Sequence, residues 1–268
     1  MELKELQQHW DRFGRQDPLW AIVAWPEKKG NKWQLDEFFE TGVHEIAAVV
    51  ESAEGLNIDL KRRRALDFGC GVGRLTQALA NHFDEVVGVD IAPSMVKLAR
   101  KYNRHGSKCT YHLNETDDLR LFPDNTFDFV YTNIVLQHML PVYARSYIRE
   151  FLRVLAPNGL LIFQLPSERV QERGSETPEI SEAQAPGRID PLGRIKALTK
   201  RLIPNSVLEL YRDRKVEPVM EMHCTSCDEV QQLLHANSAQ LLLVTEDEYA
   251  GPRYRGFRYA VTKNQAAR

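Results

Sequence analysis

Asp67-Phe68-Gly69-Cys70-Gly71-Val72-Gly73 sets one carboxylate and three alternate glycines at the end of an apolar run. A helical pattern begins at Arg74. The order is that of a strand, a tight turn and a helix. Glycines remove Cβ atoms where a ligand must lie against backbone. A following helix presents free N–H groups and a positive dipole end to a carboxylate or phosphate. Asp67 falls at the carboxyl end of the strand, where open α/β sheets bind ligands. The dinucleotide fingerprint G-x-G-x-x-G/A needs a small third residue, and here that position is Arg74. A nicotinamide dinucleotide is therefore disfavoured.

Glu85-Val86-Val87-Gly88-Val89-Asp90 reads as a second buried strand ending in an acid. A carboxylate about twenty residues beyond a glycine turn is where a ribose diol is held. Leu75-Thr76-Gln77-Ala78-Leu79-Ala80 supplies a helix between the strands, and Ile91-Ala92-Pro93-Ser94-Met95 leads into the next. Together they make one mononucleotide-binding half-fold.

These segments resemble the class I, Rossmann-like, S-adenosylmethionine-dependent methyltransferases of the methyltransferase-domain 11 type. LDFGCGVGRLTQALA and VVGVDIAPSMVKLAR carry the resemblance. It extends through Leu119–Tyr131, Asn133–Met139 and the L-x-P-x-G turn at Leu155–Gly159. It is strong from about Arg63 to Leu165, looser from Met222 to Lys263, and weak elsewhere. The implied fold is α/β: a doubly wound, seven-stranded, mostly parallel sheet whose last strand is antiparallel. The expected order is a helical cap over 1–60, a core over 61–165 and 221–268, and an insertion over 166–220 after the fifth strand. Strands are expected near Ala65–Phe68, Glu85–Asp90, Thr110–Leu113, Phe127–Asn133, Leu160–Leu165, Gln240–Asp247 and Phe257–Thr262.

The resemblance also implies a cofactor, S-adenosyl-L-methionine, leaving as S-adenosyl-L-homocysteine. Its carboxylate is expected at the N–H groups of Gly69, Cys70, Gly71 and Gly73, and its amino group opposite Asp67. Asp90 is expected to accept the ribose hydroxyls, with Ile91 against the adenine and Met95, Asn133 and Ile134 completing the walls. Asp117 is the expected partner of the adenine amine, with Asp118 or Leu119 adjacent. The spacing from that acid to Phe127-Asp128 is longer than the family's, so Asp117 and Asp118 both stay open. Phe39 and Gly42 are candidates at the methionine end.

The exit of the fourth strand reads Thr132-Asn133-Ile134-Val135. It lacks the D/N-P-P-Y/F segment of enzymes that methylate exocyclic or amide nitrogen. Oxygen of a small molecule is therefore the expected acceptor. Gln137, His138 and Tyr254 are the substrate-side candidates. His138 is either a general base, since imidazole titrates near neutrality, or a structural histidine bonded to backbone. Binding without catalysis is the alternative function.

The remaining chain bounds these readings. A formal charge of −2 gives no field for nucleic acid. No apolar run is long enough to span a bilayer, and the Met1–Gln7 pattern is amphipathic, so a cytoplasmic protein is expected. Cys224 and Cys227 form a C-x-x-C after His223, but no second ligand pair stands at a zinc spacing, so no metal is expected. Trp10, Trp20, Trp25 and Trp33 cluster near the start, as a cofactor lid or a hydrophobic brace. Ser167–Gly193 is rich in Glu, Pro, Ser and Gly, and Ile195–Tyr211 reads as short basic helices. That segment is either a substrate lid or a solvated face. Oligomeric state is not encoded in any motif.

Overall fold

The strand-forming runs alternate with helical ones, and alternation of this kind builds a parallel sheet with helices on both faces. A computed structural model describes residues 1–56, 58–170 and 217–263. Its strands are β1 (Arg64–Phe68), β2 (Glu85–Asp90), β3 (Cys109–Leu113), β4 (Phe127–Thr132), β5 (Leu155–Arg169), β6 (Ala239–Asp247) and β7 (Tyr254–Lys263). They form one seven-stranded sheet in the order β3-β2-β1-β4-β5-β7-β6. β7 runs antiparallel to both β5 and β6, and the other pairings are parallel. The doubly wound sheet and its antiparallel last strand are as expected.

The helices are α1 (Leu3–Gln16), α2 (Pro18–Ile22), α3 (Leu35–Glu54), α4 (Arg74–Leu79), α5 (Pro93–Tyr102), α6 (Pro141–Val154) and α7 (Cys227–Ala236). Proline occupies the first helical position of α2, α5 and α6, where a missing N–H costs nothing. Ser226 caps α7 in a reciprocal box with Glu229. Strand alternation divides the core in two. Ala65, Val86, Phe129, Tyr131, Leu160 and Ile162 face α3, α4 and α5. Leu66, Val87, Val130, Leu161, Phe163 and Tyr259 face α6 and α7. A third cluster joins α1–α3 to Val72, Ala92 and Met95 at the carboxyl edge of the sheet. The helical segment at the start of the chain therefore packs over the strand ends that carry the glycine turn.

Two strands differ most from the sequence expectation, β5 at both ends and β7 at its start. β5 starts at Leu155, because the L-x-P-x-G turn is folded into it as a register break with Asn158 at φ 61°. β7 begins three residues early, extended by pairing with Glu168 and Arg169. Of the expected insertion, residues 171–216 lie outside the described residues, so the short basic helices do too. Among the described residues, no helix is long and apolar enough to cross a membrane.

Candidate active site

Three strand ends converge on one cavity of about 870 Å³. Gly69, Gly71 and Gly73 all take positive φ (75°, 52° and 86°), a conformation that side chains resist. A Cβ at Gly69 would stand 2.3 Å from Val135, and one at Gly71 would stand 2.5 Å from Ile22. The glycines thus serve the bend and its packing against the end of α2 and the segment after β4.

The turn's N–H groups are already engaged. Gly69 and Cys70 both donate to the Val89 carbonyl (2.8 and 2.9 Å), and Gly73 donates to Cys70 O (2.8 Å). Gly71 N–H donates to Asp90 Oδ2 at 2.8 Å. This differs from the expectation of a carboxylate on these amides: four of them have partners within the protein. α4 is also only six residues long, which leaves little dipole.

Asp90 ends β2 and lines the cavity. Its Oδ1 accepts from Ala92 N–H at 2.8 Å, matching the Gly71 bond on Oδ2. Each oxygen keeps a lone pair for a hydroxyl. Burial pushes this carboxyl up to about 6, against the pull of the backbone N–H bonds. Ile91, Met95 and Asn114 stand beside it in the wall. The donor set fits a ribose diol and a flat apolar base.

Asp67 is placed differently from expectation. It is 1% exposed, is not in the cavity wall, and accepts from Thr76 Oγ1 at 2.6 Å. Burial pushes it up to about 7, with the Thr76 bond opposing. Strand alternation turns its side chain under the glycine turn, towards α4.

Beyond β4, Asn133, Ile134, Gln137 and His138 all reach the cavity. Ile134 holds φ 58°, a strained value for a β-branched residue and one met at functional sites. His138 is 4% exposed, and its ring lies 5.3 Å from that of Trp10. Its Nδ1 contacts the Glu221 carbonyl at 2.8 Å. A carbonyl only accepts, so the proton sits on Nδ1 and Nε2 carries the lone pair. The Gln137 amide faces that lone pair at 3.3 Å. Burial lowers His138 to about 4, so the ring is neutral at physiological pH.

Several candidates fall elsewhere. Asp117 is exposed, Asp118 pairs with Arg120, and the Leu119 N–H donates to Glu150 Oε2 at 2.7 Å; none lines the cavity. Asn114 takes the place expected for them. It is 5% exposed, and its Nδ2 donates to Asp118 O at 2.9 Å. Phe39 packs against Phe38 and Tyr102 outside the wall. Gly42 is a helix-packing glycine, since a Cβ there would stand 2.7 Å from Arg74 O. Tyr254 pairs with Arg169 at the start of β7, and the nearby wall residue is Tyr249.

Sequence reading missed Glu45 on α3. It lines the cavity and accepts from Arg74 Nη2 (2.8 Å), Tyr131 Oη (2.9 Å) and Asn133 Nδ2 (2.8 Å). The only available signal was Gly42 one turn earlier, which lets α3 approach α4 closely enough for the pair. Trp10, Met139, Met220 and Met222 form an apolar flank around His138. The segment carrying Met220 and Met222 is fixed by His223 N–H to Gln137 O (2.7 Å) and Thr225 N–H to Pro166 O (2.9 Å).

Comparison with known proteins agrees with this geometry. The family model described as "Methyltransferase domain" matches residues 66–163. A ubiquinone biosynthesis O-methyltransferase of Xanthomonas oryzae pv. oryzae is 30% identical over 132 residues, 49% of this chain and 54% of that one. Phosphoethanolamine N-methyltransferase 3 of Arabidopsis thaliana is 33% identical over 108 residues, 39% of this chain and 21% of that one. The chain thus spans about half the length, or less, of the curated relatives it matches. Magnesium protoporphyrin IX methyltransferase from Synechocystis PCC 6803, solved with bound SAH, superposes with a TM-score of 0.55 at 16% identity, covering 92% of this chain and 93% of that one. A SAM-dependent methyltransferase of Leishmania major gives 0.59 at 13% identity, covering 97% and 82%. The chain thus carries a match to a methyltransferase domain over residues 66–163 and shares its fold with S-adenosylmethionine-dependent methyltransferases of known structure.

Proposed function

We propose that the protein transfers a methyl group to a hydroxyl oxygen of a small organic acceptor. The observation that carries this is one cavity running from the Asp90–Gly71 contact to a neutral, tautomerically fixed His138. When bound, S-adenosylmethionine supplies an electrophilic methyl on a sulfonium, so the protein need not create an electrophile. The protein's own tasks are to bind, align and exclude water.

Asp90 accepts the ribose hydroxyls, and Ile91 and Met95 cover the base. His138 Nε2 is a hydrogen-bond acceptor held in place by Nδ1–H to Glu221 O. A hydroxyl at about 2.7–2.8 Å outcompetes the long Gln137 contact for that lone pair. A ring lowered to about 4 stays neutral and aligns the O–H; once the oxygen takes the methyl its proton becomes strongly acidic, and Nε2 takes it up and passes it to solvent on product release. Trp10 and the methionines keep water from the acceptor. At about 870 Å³ the cavity is in the upper part of the small-ligand range of roughly 300–1,000 Å³, room for two molecules together. The relatives include both an O-methyltransferase and an N-methyltransferase, so the oxygen assignment rests on the His138 geometry.

A binding protein without turnover is the second reading, and an open cavity of this size weighs against it. We also place the protein in the cytoplasm, in keeping with its free cysteines. In sequence we propose a cap over 1–60 and a core over 61–165 and 221–268, interrupted by an insertion over 166–220. Incubation with S-adenosylmethionine and a library of phenols, alcohols and amines, read as S-adenosylhomocysteine release, tests the activity. Turnover with hydroxyl compounds is expected. Release with amines alone would overturn the oxygen assignment.

A further inference from the structure

We propose that Gln137 selects hydroxyl oxygen over amine nitrogen in the acceptor, acting as a pair with His138. The acceptor hydroxyl gives its hydrogen to His138 Nε2 and takes the Gln137 amide N–H on one lone pair. Its other lone pair stays free for the methyl group. This selection rests on the methyltransferase reading above and on its hydroxyl acceptor.

The ring sets the orientation of the amide. His138 Nε2 carries a lone pair, because Nδ1–H is given to Glu221 O at 2.8 Å. Only the NH2 half of the Gln137 amide can face that lone pair, and it does so at 3.3 Å. Oε1 is buried without a hydrogen-bond partner, on a residue 2% exposed that lines the cavity. Buried atoms left unsatisfied point to a missing polar partner. A contact of 3.3 Å is also long for a hydrogen bond, so both halves of the amide are weakly held. The backbone beneath is firmly held. Gln137 O accepts from His223 N–H at 2.7 Å, and His138 N–H donates to Val135 O at 3.0 Å. A fixed turn thus presents a loosely bonded amide beside a fixed imidazole.

An arriving hydroxyl displaces the amide N–H from Nε2. The flanking Trp10, Met139 and Met222 offer that N–H no strong acceptor. The oxygen that displaced it is the nearest one. A hydroxyl has one hydrogen and two lone pairs, and here each finds a use. The free lone pair forms the bond to the methyl carbon, and the electrons of the broken carbon–sulfur bond stay on sulfur. The hydroxyl proton goes to Nε2. A neutral amine has a single lone pair. When that pair attacks, the Gln137 N–H is left buried without an acceptor. Sites built around hydrogen bonds reject substrates by such a loss. An alkylamine, protonated at neutral pH, has no free pair at all.

Initial rates on the full chain test this with three matched pairs of phenols and anilines, para-substituted with methyl, butyl or phenyl. Both members of each pair are uncharged at pH 7.5. Wild type is expected to favour the phenol in kcat/KM by about 100-fold or more, although anilines are the better nucleophiles in water. Q137M keeps the side-chain length and the backbone bonds but removes the donor. It is expected to lower kcat/KM for the phenols about tenfold or more and leave the anilines within about threefold. S-adenosylhomocysteine affinity, measured by calorimetry, should be unchanged in Q137M, which also reports that the variant is folded. Equal losses for both acceptors, or no loss for either, would overturn the assignment. So would loss of S-adenosylhomocysteine binding in Q137M, or a wild-type preference for anilines, which needs no variant. Wild type that binds S-adenosylhomocysteine but turns over none of the six would instead overturn the hydroxyl-acceptor reading beneath it. Wild type that binds no S-adenosylhomocysteine would overturn the cofactor reading.

Discussion

Around Asp90 the cavity wall is held by backbone; around His138 it is held by side chains from distant parts of the chain. The Asp90 carboxylate is fixed by N–H groups of Gly71 and Ala92, both within the β1–α4 and β2–α5 turns. His138 depends on the Glu221 carbonyl, the Gln137 amide and the Trp10 ring, and Asn133 depends on Glu45 of α3. A backbone-built end is set by local turn geometry and tolerates drift elsewhere. A side-chain-built end can change its ligand by changing one residue. The contrast teaches that cofactor binding and acceptor choice are separable in this fold, and it can be attacked from either side.

The largest effect is expected from Gly71→Val. It forces a β-branched residue to φ 52° and drives a Cβ to 2.5 Å from Ile22. Strain and overpacking together cost about 2–5 kcal/mol. Thermal melting should drop sharply and S-adenosylhomocysteine binding should vanish; a normal melt with normal binding would break the backbone half of the contrast.

His138→Asn comes next and should split the two ends. A fall of about 100-fold in kcat is expected, with S-adenosylhomocysteine affinity unchanged by calorimetry. Because the ring is lowered to about 4, the wild-type rate should show no inflection near pH 6.5. An inflection there that disappears in the variant would make His138 a titrating base and contradict the alignment role.

Asp67 gives a stability effect of on the order of a few kcal/mol. Its folded value is raised, to about 7. The protein therefore favours the neutral acid, with the associated stability present at low pH and lost as pH rises through about 7. Asp67→Asn should flatten the decline of the melting temperature between pH 5 and 8. An unchanged slope would remove Asp67 from the account.

The smallest effect is on the pH dependence of binding. A carboxylate accepts hydroxyl protons better than a carboxylic acid. S-adenosylhomocysteine affinity should be level above pH 7 and weaken below about 6, the value for Asp90. Asp90→Asn should bind weakly at every pH. Affinity that improves on acidification would contradict Asp90 as the acceptor.

The same contrast sets what the sequence could reveal. Asp90 and the glycine turn are legible because their spacing is the turn itself. The sheet order follows from apolar runs alternating with helical ones, and the antiparallel β7 came from family resemblance rather than periodicity. Glu45 was invisible because it sits 29 residues before Arg74, and only the α3–α4 approach brings them together. Asp117 and Asp118 misled because an acid after a third strand looks like a base-binding group. Asn114 lines the wall instead and bonds the loop carbonyls, while both acids lie outside it. Asp67 misled by its place at a strand end, where side-chain parity sends it behind the turn. Glu221, which fixes His138, lies on a segment with no regular pattern to read.

Asp90→Ala, titrated with S-adenosylhomocysteine in a calorimeter at pH 7.5, tests the central claim most directly. Loss of a charged acceptor for two hydroxyls should weaken binding by about 30- to 150-fold, or 2–3 kcal/mol, with the unliganded protein still melting cooperatively, at a temperature lowered by the freed Gly71 and Ala92 amides. Affinity equal to wild type would contradict the cradle described here.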